Sequence, residues 1–210
     1  MALITAAEAR LFLRELSGTG EDTNIDQLIV FADAAIANYL GFPPVSAGGQ
    51  ATIESATYTE YLDGPTLERI SVVQLPLRPV TSITTIHDDP DWAYGAGDLV
   101  ASTDYTLIGR TGKVALVPTG SHAWSTAYRS IKVVFVAGFT TIPEEIKLAT
   151  KMLVKHWWGM RHNLTYSSMS SQGSTVTSPT YAAGGAVGMT LPRPVKQLLN
   201  PYRLLERNIA

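Results

Sequence analysis

Cysteine is absent from this sequence of 210 residues. That absence removes disulfide frameworks, thiolate zinc centres and cysteine nucleophiles from consideration. An excess of charge of either sign is also lacking: 16 Lys and Arg stand against 18 Asp and Glu, a formal net of −2. With no basic surplus to neutralise phosphates, electrostatically driven nucleic-acid binding is disfavoured as the main activity. No window reaches the roughly 18 apolar residues of a membrane helix. The opening Met1-Ala2-Leu3-Ile4-Thr5-Ala6-Ala7-Glu8 has neither the basic region nor the apolar run of a signal peptide, so a protein made and used in the cytoplasm is expected. What is present is 45% hydrophobic and 16% charged residues, a balance that buries a core and argues against wholesale disorder.

The first third reads as helical. Thr5 followed by Glu8 is a capping box, in which each side chain satisfies a free backbone N–H at a helix start. Ala7, Leu11 and Leu16, with Phe12 and Leu13 between them, predict an apolar face that ends at Gly18-Thr19-Gly20. A second helix is predicted from Asp22 or Thr23, with Ile25, Leu28, Ile29, Ala32, Ile36, Tyr39 and Leu40 on its buried side. Gly41 suits the left-handed position beyond a helix end, and Pro43-Pro44 forbid continuation.

From Ala51 to Ala137 the apolar period changes to alternation. Strands are predicted at 57–62, 70–75, 80–86, 105–108, 114–117 and 131–136, with Asp63-Gly64-Pro65 as a turn and a tight hairpin around Arg110-Thr111-Gly112. The connections are too short for helical crossovers, so the insert should be antiparallel. Helix returns at Pro143, a residue suited to the first helical position, with Glu144 and Glu145 complementing the dipole. Ile146, Ala149, Met152, Leu153, His156 and Trp157 fall on one face. Ser, Thr, Gly and Ala dominate 163–190, which reads as a flexible loop. A closing helix from Pro192 carries Val195, Leu198, Leu199, Tyr202 and Leu205, with Pro201 bending or restarting it. The fold class predicted is α+β: a small helical bundle with an antiparallel β insert, a flexible loop and a C-terminal helix. By segment, this places bundle helices at 1–50, the insert at 51–140, the long helix at 141–163, the loop at 164–190 and a docking helix at 191–210.

No constellation of residues reads as catalytic. Gly109-Arg110-Thr111-Gly112-Lys113 resembles the end of a phosphate-binding loop, but the glycine spacing is short and Val114 continues a strand where a helix is required. Asp88, Asp89, Asp91 and Asp98 offer oxygen ligands, yet their spacing lacks the twelve-residue calcium pattern and its closing Glu. An exposed hairpin loop explains them better. His87, His122, His156 and His162 form no His-Glu-x-x-His pair, and His156, beside Trp157 and Trp158, reads as a core or interface histidine. No Gly-x-Ser-x-Gly elbow occurs, and a mobile serine tract cannot hold a nucleophile in register. Asn163-Leu164-Thr165 matches a glycosylation acceptor, which has no meaning without secretion. Core packing at helical spacing accounts for the Trp157-Trp158 pair. No cofactor and no metal site are expected.

Four segments in order carry a family resemblance. Leu75-Pro76-Leu77-Arg78-Pro79-Val80-Thr81-Ser82-Ile83 resembles the strand entry of phage head–tail connector, or adaptor, proteins. Val133-Val134-Phe135-Val136-Ala137-Gly138-Phe139 with Ile142-Pro143-Glu144-Glu145-Ile146-Lys147-Leu148-Ala149 resembles the family's junction between last strand and long helix. His156-Trp157-Trp158 and Arg161 continue it, and Leu191-Pro192 through Leu198-Leu199-Asn200-Pro201-Tyr202-Arg203 is similar to the closing motif. The tract from Tyr166 to Met189 is longer than the family pattern, and the connection from Pro43 to Ala51 is richer in glycine.

The resemblance implies a structural subunit in a virion neck. It would belong to a ring of twelve copies below the portal protein, joining the capsid to tail or stopper proteins and helping to retain the genome. DNA would pass through the lumen without sequence-specific binding, which the near-neutral charge allows. Carried over by position, Leu198, Leu199, Tyr202, Arg203 and Leu205 are the portal-binding residues, against a plain reading in which they pack a last helix internally. The alternatives are another virion part such as a tail-completion or baseplate protein, of which a tail-terminator would be marked by a six-fold ring, and a carbohydrate-binding β module suggested by 4 Trp and 9 Tyr. A hydrolase is the weakest.

Overall fold

Thr5 and Glu8 cap each other at the start of α1 (Ala6–Leu13): the Thr5 amide donates to Glu8 Oε2 at 2.9 Å, and the Glu8 amide to Thr5 Oγ1 at 3.2 Å. The hydrogen bond from the Thr5 amide, assisted by Lys151, holds the Glu8 carboxyl below its ordinary range. The computed structural model describes residues 2–13, 19–66, 71–160 and 191–204. The predicted loop over 163–190, with His162, lies outside the described residues, as do Leu16, Ile70 and Leu205. The architecture is α+β, and contacts divide the chain into two compact units: Met1–Ile36 with Pro143–Tyr202, and Ala37–Ile142 with Arg203–Ala210.

The first unit is helical. It holds α1, the first part of α2 (Asp22–Leu40), α3 (Glu144–Met160) and α4 (Arg193–Leu199), with α1 and α4 both packed on α3. In α3 the buried set Ile146, Ala149, Thr150, Leu153, Val154, Trp157 and Trp158 repeats at three and four residues, the stripe of a core-facing helix. The buried Thr150 hydroxyl is satisfied by donating to the Ile146 carbonyl at 3.0 Å. Ile25, Ile29, Ala32 and Ile36 form the matching stripe of α2.

Two helical expectations are corrected. The buried face of α1 is Ala9 and Leu13; Ala7 is exposed, and Leu11 is 82% exposed. Residue pairs 7/11 and 9/13 have the same spacing, so a helix apolar on several sides leaves the choice to tertiary packing. His156 is exposed and Met152 half-buried. Around α3 both fall just past Ala149, the residue at one edge of the buried stripe.

The second unit begins inside α2. Gly41, with φ of +89°, ends that helix, its amide donating to the Asn38 carbonyl at 3.1 Å. Six strands follow: β1 (Ala56–Leu62), β2 (Val72–Gln74), β3 (Val80–Asp88), β4 (Tyr105–Ile108), β5 (Lys113–Leu116) and β6 (Ile131–Ala137). They form two three-stranded sheets, ordered β1-β6-β3 and β2-β5-β4, with every strand pairing antiparallel. β6 is central in its sheet and buries Ile131, Val133, Phe135 and Ala137 at alternate positions. β3 shifts register between Val80 and Ser82 and again between Ile83 and Thr85. Gly112, with φ of +67°, closes the β4–β5 hairpin as the sequence predicts.

Candidate functional site

The five residues assigned to portal contact fall in different settings. α4 follows Leu191-Pro192 and has Pro194 in its first turn, where the missing N–H costs nothing. Val195 and Leu199 are fully buried, while Leu198 is half-buried. A seven-residue helix is marginal alone. Here it folds back on α3. Two fully buried aliphatic side chains supply about 1.5–3 kcal/mol each, enough to hold it. Pro201 ends the α-helix, and a 3-10 turn runs over Asn200–Tyr202. The half-buried Tyr202 donates its hydroxyl to Glu145 Oε2 at 3.0 Å. Burial, and then that hydrogen bond, push the Tyr202 hydroxyl above its ordinary value.

Arg203 and Leu204 belong to the second unit. The exposed Arg203 guanidinium lies 5.5 Å from the centroid of the Tyr39 ring, and its carbonyl accepts from Arg78 Nη2 at 3.4 Å. The Leu204 amide donates to the Leu40 carbonyl at 2.9 Å, and its buried side chain lies against Gly41. Among the described members of the set, Leu199 is core, and Leu198, Tyr202 and Arg203 keep accessible surface.

The acidic stretch lies in a largely exposed loop, as expected, closed by an antiparallel bridge between His87 and Leu99. Asp89 is buried; its Oδ1 accepts from the Asp91 amide at 2.8 Å, and its Oδ2 from the Ala93 and Tyr94 amides at 2.6 and 2.7 Å. Those backbone donors hold the Asp89 carboxyl below the ordinary Asp range. Asp88 Oδ2 accepts from the Ser125 amide at 2.8 Å and meets His122 Nε2 at 3.0 Å, and Asp98 Oδ2 accepts from the Gly95 amide at 2.9 Å. The carboxylates are spent on organising backbone, which is why they cluster. Among the described residues, no group of three or more His, Asp or Glu is arranged to hold a metal ion.

That loop presents a ledge of aromatic and cationic side chains which sequence reasoning missed. Tyr61 and Tyr94 stack with centroids 5.4 Å apart, and Trp92 meets Tyr128 edge-on at 6.5 Å. The Arg129 guanidinium lies 5.0 Å from the Tyr61 centroid, and Lys132 Nζ lies 5.9 Å from Tyr61 and 5.4 Å from Tyr94. Two bonds fasten the loops together: Trp92 Nε1 donates to the Tyr128 carbonyl at 2.8 Å, and the Tyr94 hydroxyl to the Arg129 carbonyl at 2.6 Å. Trp157 and Trp158, the aromatics weighed from sequence, are instead core residues of α3. The only sequence signal for the ledge was aromatics adjoining turn residues, in three segments at least 30 positions apart.

The head completion protein family model matches residues 2–205 of this chain. Among solved structures the chain is similar to one in the virion of a native gene transfer agent (GTA) particle, at 18% identity and a TM-score of 0.54, over 97% of this chain and 90% of that one. It is also similar to a chain in the neck of an empty GTA particle computed with C6 symmetry, at 17% identity, TM-score 0.54 and coverages of 97% and 90%. A chain in the neck of a native GTA particle computed with C12 symmetry matches at 17% identity and TM-score 0.53, over 95% of this chain and 88% of that one. At such identities the likeness is one of fold. No curated protein matches.

Proposed function

The chain belongs to the head completion protein family, and we propose on that premise that it is a structural head–tail connector subunit in the neck of a tailed phage or phage-like particle. The observation that carries this reading is the family match over residues 2–205. The likeness in fold to chains of GTA necks supports it. The role is structural and non-enzymatic: copies form a ring, twelve in number, beneath the portal protein and receive tail or stopper proteins on the other side. Genomic DNA runs through the lumen, with a formal net charge of −2 suiting passage over capture. No described helix is long and apolar enough to cross a membrane.

Within the subunit, we assign the segments 1–50, 141–163 and 191–210 to ring and portal contacts and treat the insert 51–140 as a separate antiparallel module. Leu198, Tyr202 and Arg203 face the portal through their accessible surface, and the buried Leu199 holds the helix that carries Leu198; Leu205 completes the assignment beyond the described residues. Repetition around the ring turns a weak contact per subunit into firm attachment. The test is deletion of the gene from the particle's genome. Heads that fill with DNA but carry no tail, restored by supplying the protein afterwards, are the expected result. Normal tailed particles assembled without it would overturn the reading.

A further inference from the structure

The ledge formed by Tyr61, Trp92, Tyr94, Tyr128, Arg129 and Lys132 takes no part in the contacts assigned above. We propose that it is a docking site for an acidic segment of another protein. Its composition is that of a binding hot spot, in which Trp, Tyr and Arg carry most of the energy. Trp92 is 55%, Tyr128 66% and Tyr61 40% exposed, large apolar surfaces on a loop that is otherwise tightly bonded. Arg129 and Lys132 sit against tyrosine rings on one side, and neither forms an ion pair among the described residues. A carboxylate arriving from solvent completes both cations without displacing a partner.

The ledge is also built in advance. Trp92, Tyr94 and Arg129 have φ of 65°, 48° and 52°, and they are the positive-φ residues other than glycine among those described. Asp89 fixes the first turn through three amides, and Asp63 Oδ1 fixes the second by accepting from the Arg129 amide at 3.0 Å. Strain of this kind persists where the surroundings over-determine it and clusters at binding sites. A preformed surface loses less entropy when it binds.

Charge selects the occupant. A nucleic-acid strand is disfavoured, because two cations are few for a phosphate track. A second copy of this chain is a poor source of paired carboxylates: Asp26 and Asp91 are exposed but single, while the adjacent pairs Glu21-Asp22, Asp88-Asp89 and Glu144-Glu145 are engaged with Asn24 and Arg10, with backbone amides, and with Lys147 and Tyr202. The anion therefore comes from a different protein.

The test titrates the full chain with an octa-glutamate peptide at low salt, following the side-chain indole resonance of Trp92 by NMR. Octa-lysine and a thymidine oligonucleotide of matched length are run in parallel. A saturable shift is expected with octa-glutamate alone, weakening as salt is added. It should be at least tenfold weaker in Lys132→Gln and in Arg129→Gly, the latter removing the cation while glycine adopts the positive φ without strain. Three results would overturn the proposal: no saturable shift, an equal response to the oligonucleotide, or unchanged affinity in both variants with their folded spectra intact. Sedimentation showing that the ledge closes a dimer of wild-type chains, lost in the variants, would overturn it too.

Discussion

Asp89 shows how a residue that looks like a ligand becomes a strut. Its carboxyl is held below the ordinary Asp value of 3.8, first by the Asp91 and Tyr94 amides. The unfolded chain therefore takes up this proton more readily than the folded one. The stabilisation is complete above that ordinary value and is lost as pH falls through the lower folded value. Glu8, lowered from 4.5, adds a second contribution of the same sign. Asp89→Asn should lower the thermal midpoint at neutral pH, since an amide keeps one oxygen for three donors, and should flatten the acid limb of a midpoint-against-pH curve. An acid limb identical to wild type would show that Asp89 is not coupled to folding. Gly138, at φ of +110°, makes a complementary point, because a Cβ there would collide with the Glu54 carbonyl. Gly138→Ala should destabilise by more than the ~1 kcal/mol of an ordinary helix or strand glycine exchange, measured by urea unfolding.

At the scale of elements, α4 is where sequence and structure part. Leu199 is fully buried against α3's unit, so Leu199→Ala should cost about 2–5 kcal/mol in denaturant unfolding. A change near zero would mean that the residue serves only a partner. Truncation before Leu191 should likewise lower the unfolding midpoint of the helical unit, because Val195 and Leu199 leave with it. α2 and the strands were legible because their signals are local: an apolar period, Gly41 past the helix end, and Gly112 in the hairpin. The face of α1, the exposure of His156 and the fold-back of α4 were not, because each depends on which neighbouring element packs against a stripe of ambiguous width. The ledge was least legible of all. Tyr61, Trp92 and Tyr128 meet only through register between β1, β3 and β6 and the loops that leave them.

For the whole molecule, order along the chain carried more than any single motif. The junction from β6 into α3 is short: Gly138 bends the chain, the Phe139 amide bonds the Ile53 carbonyl at 2.8 Å, and Pro143 precedes the helix. That is a packing solution, and it explains why the corresponding sequence pattern is recognisable without any chemistry attached. A chain that leaves large apolar side chains such as Leu11, Phe31, Trp92 and Tyr128 exposed is suited to assembly with other proteins. The most direct test of that claim is native mass spectrometry of the purified chain, alone and mixed with its cognate portal ring. The account predicts a monomer or weak associate alone and twelve copies bound per portal ring when mixed. A stable dimer that ignores the portal, or six copies in a closed ring without it, would contradict the account.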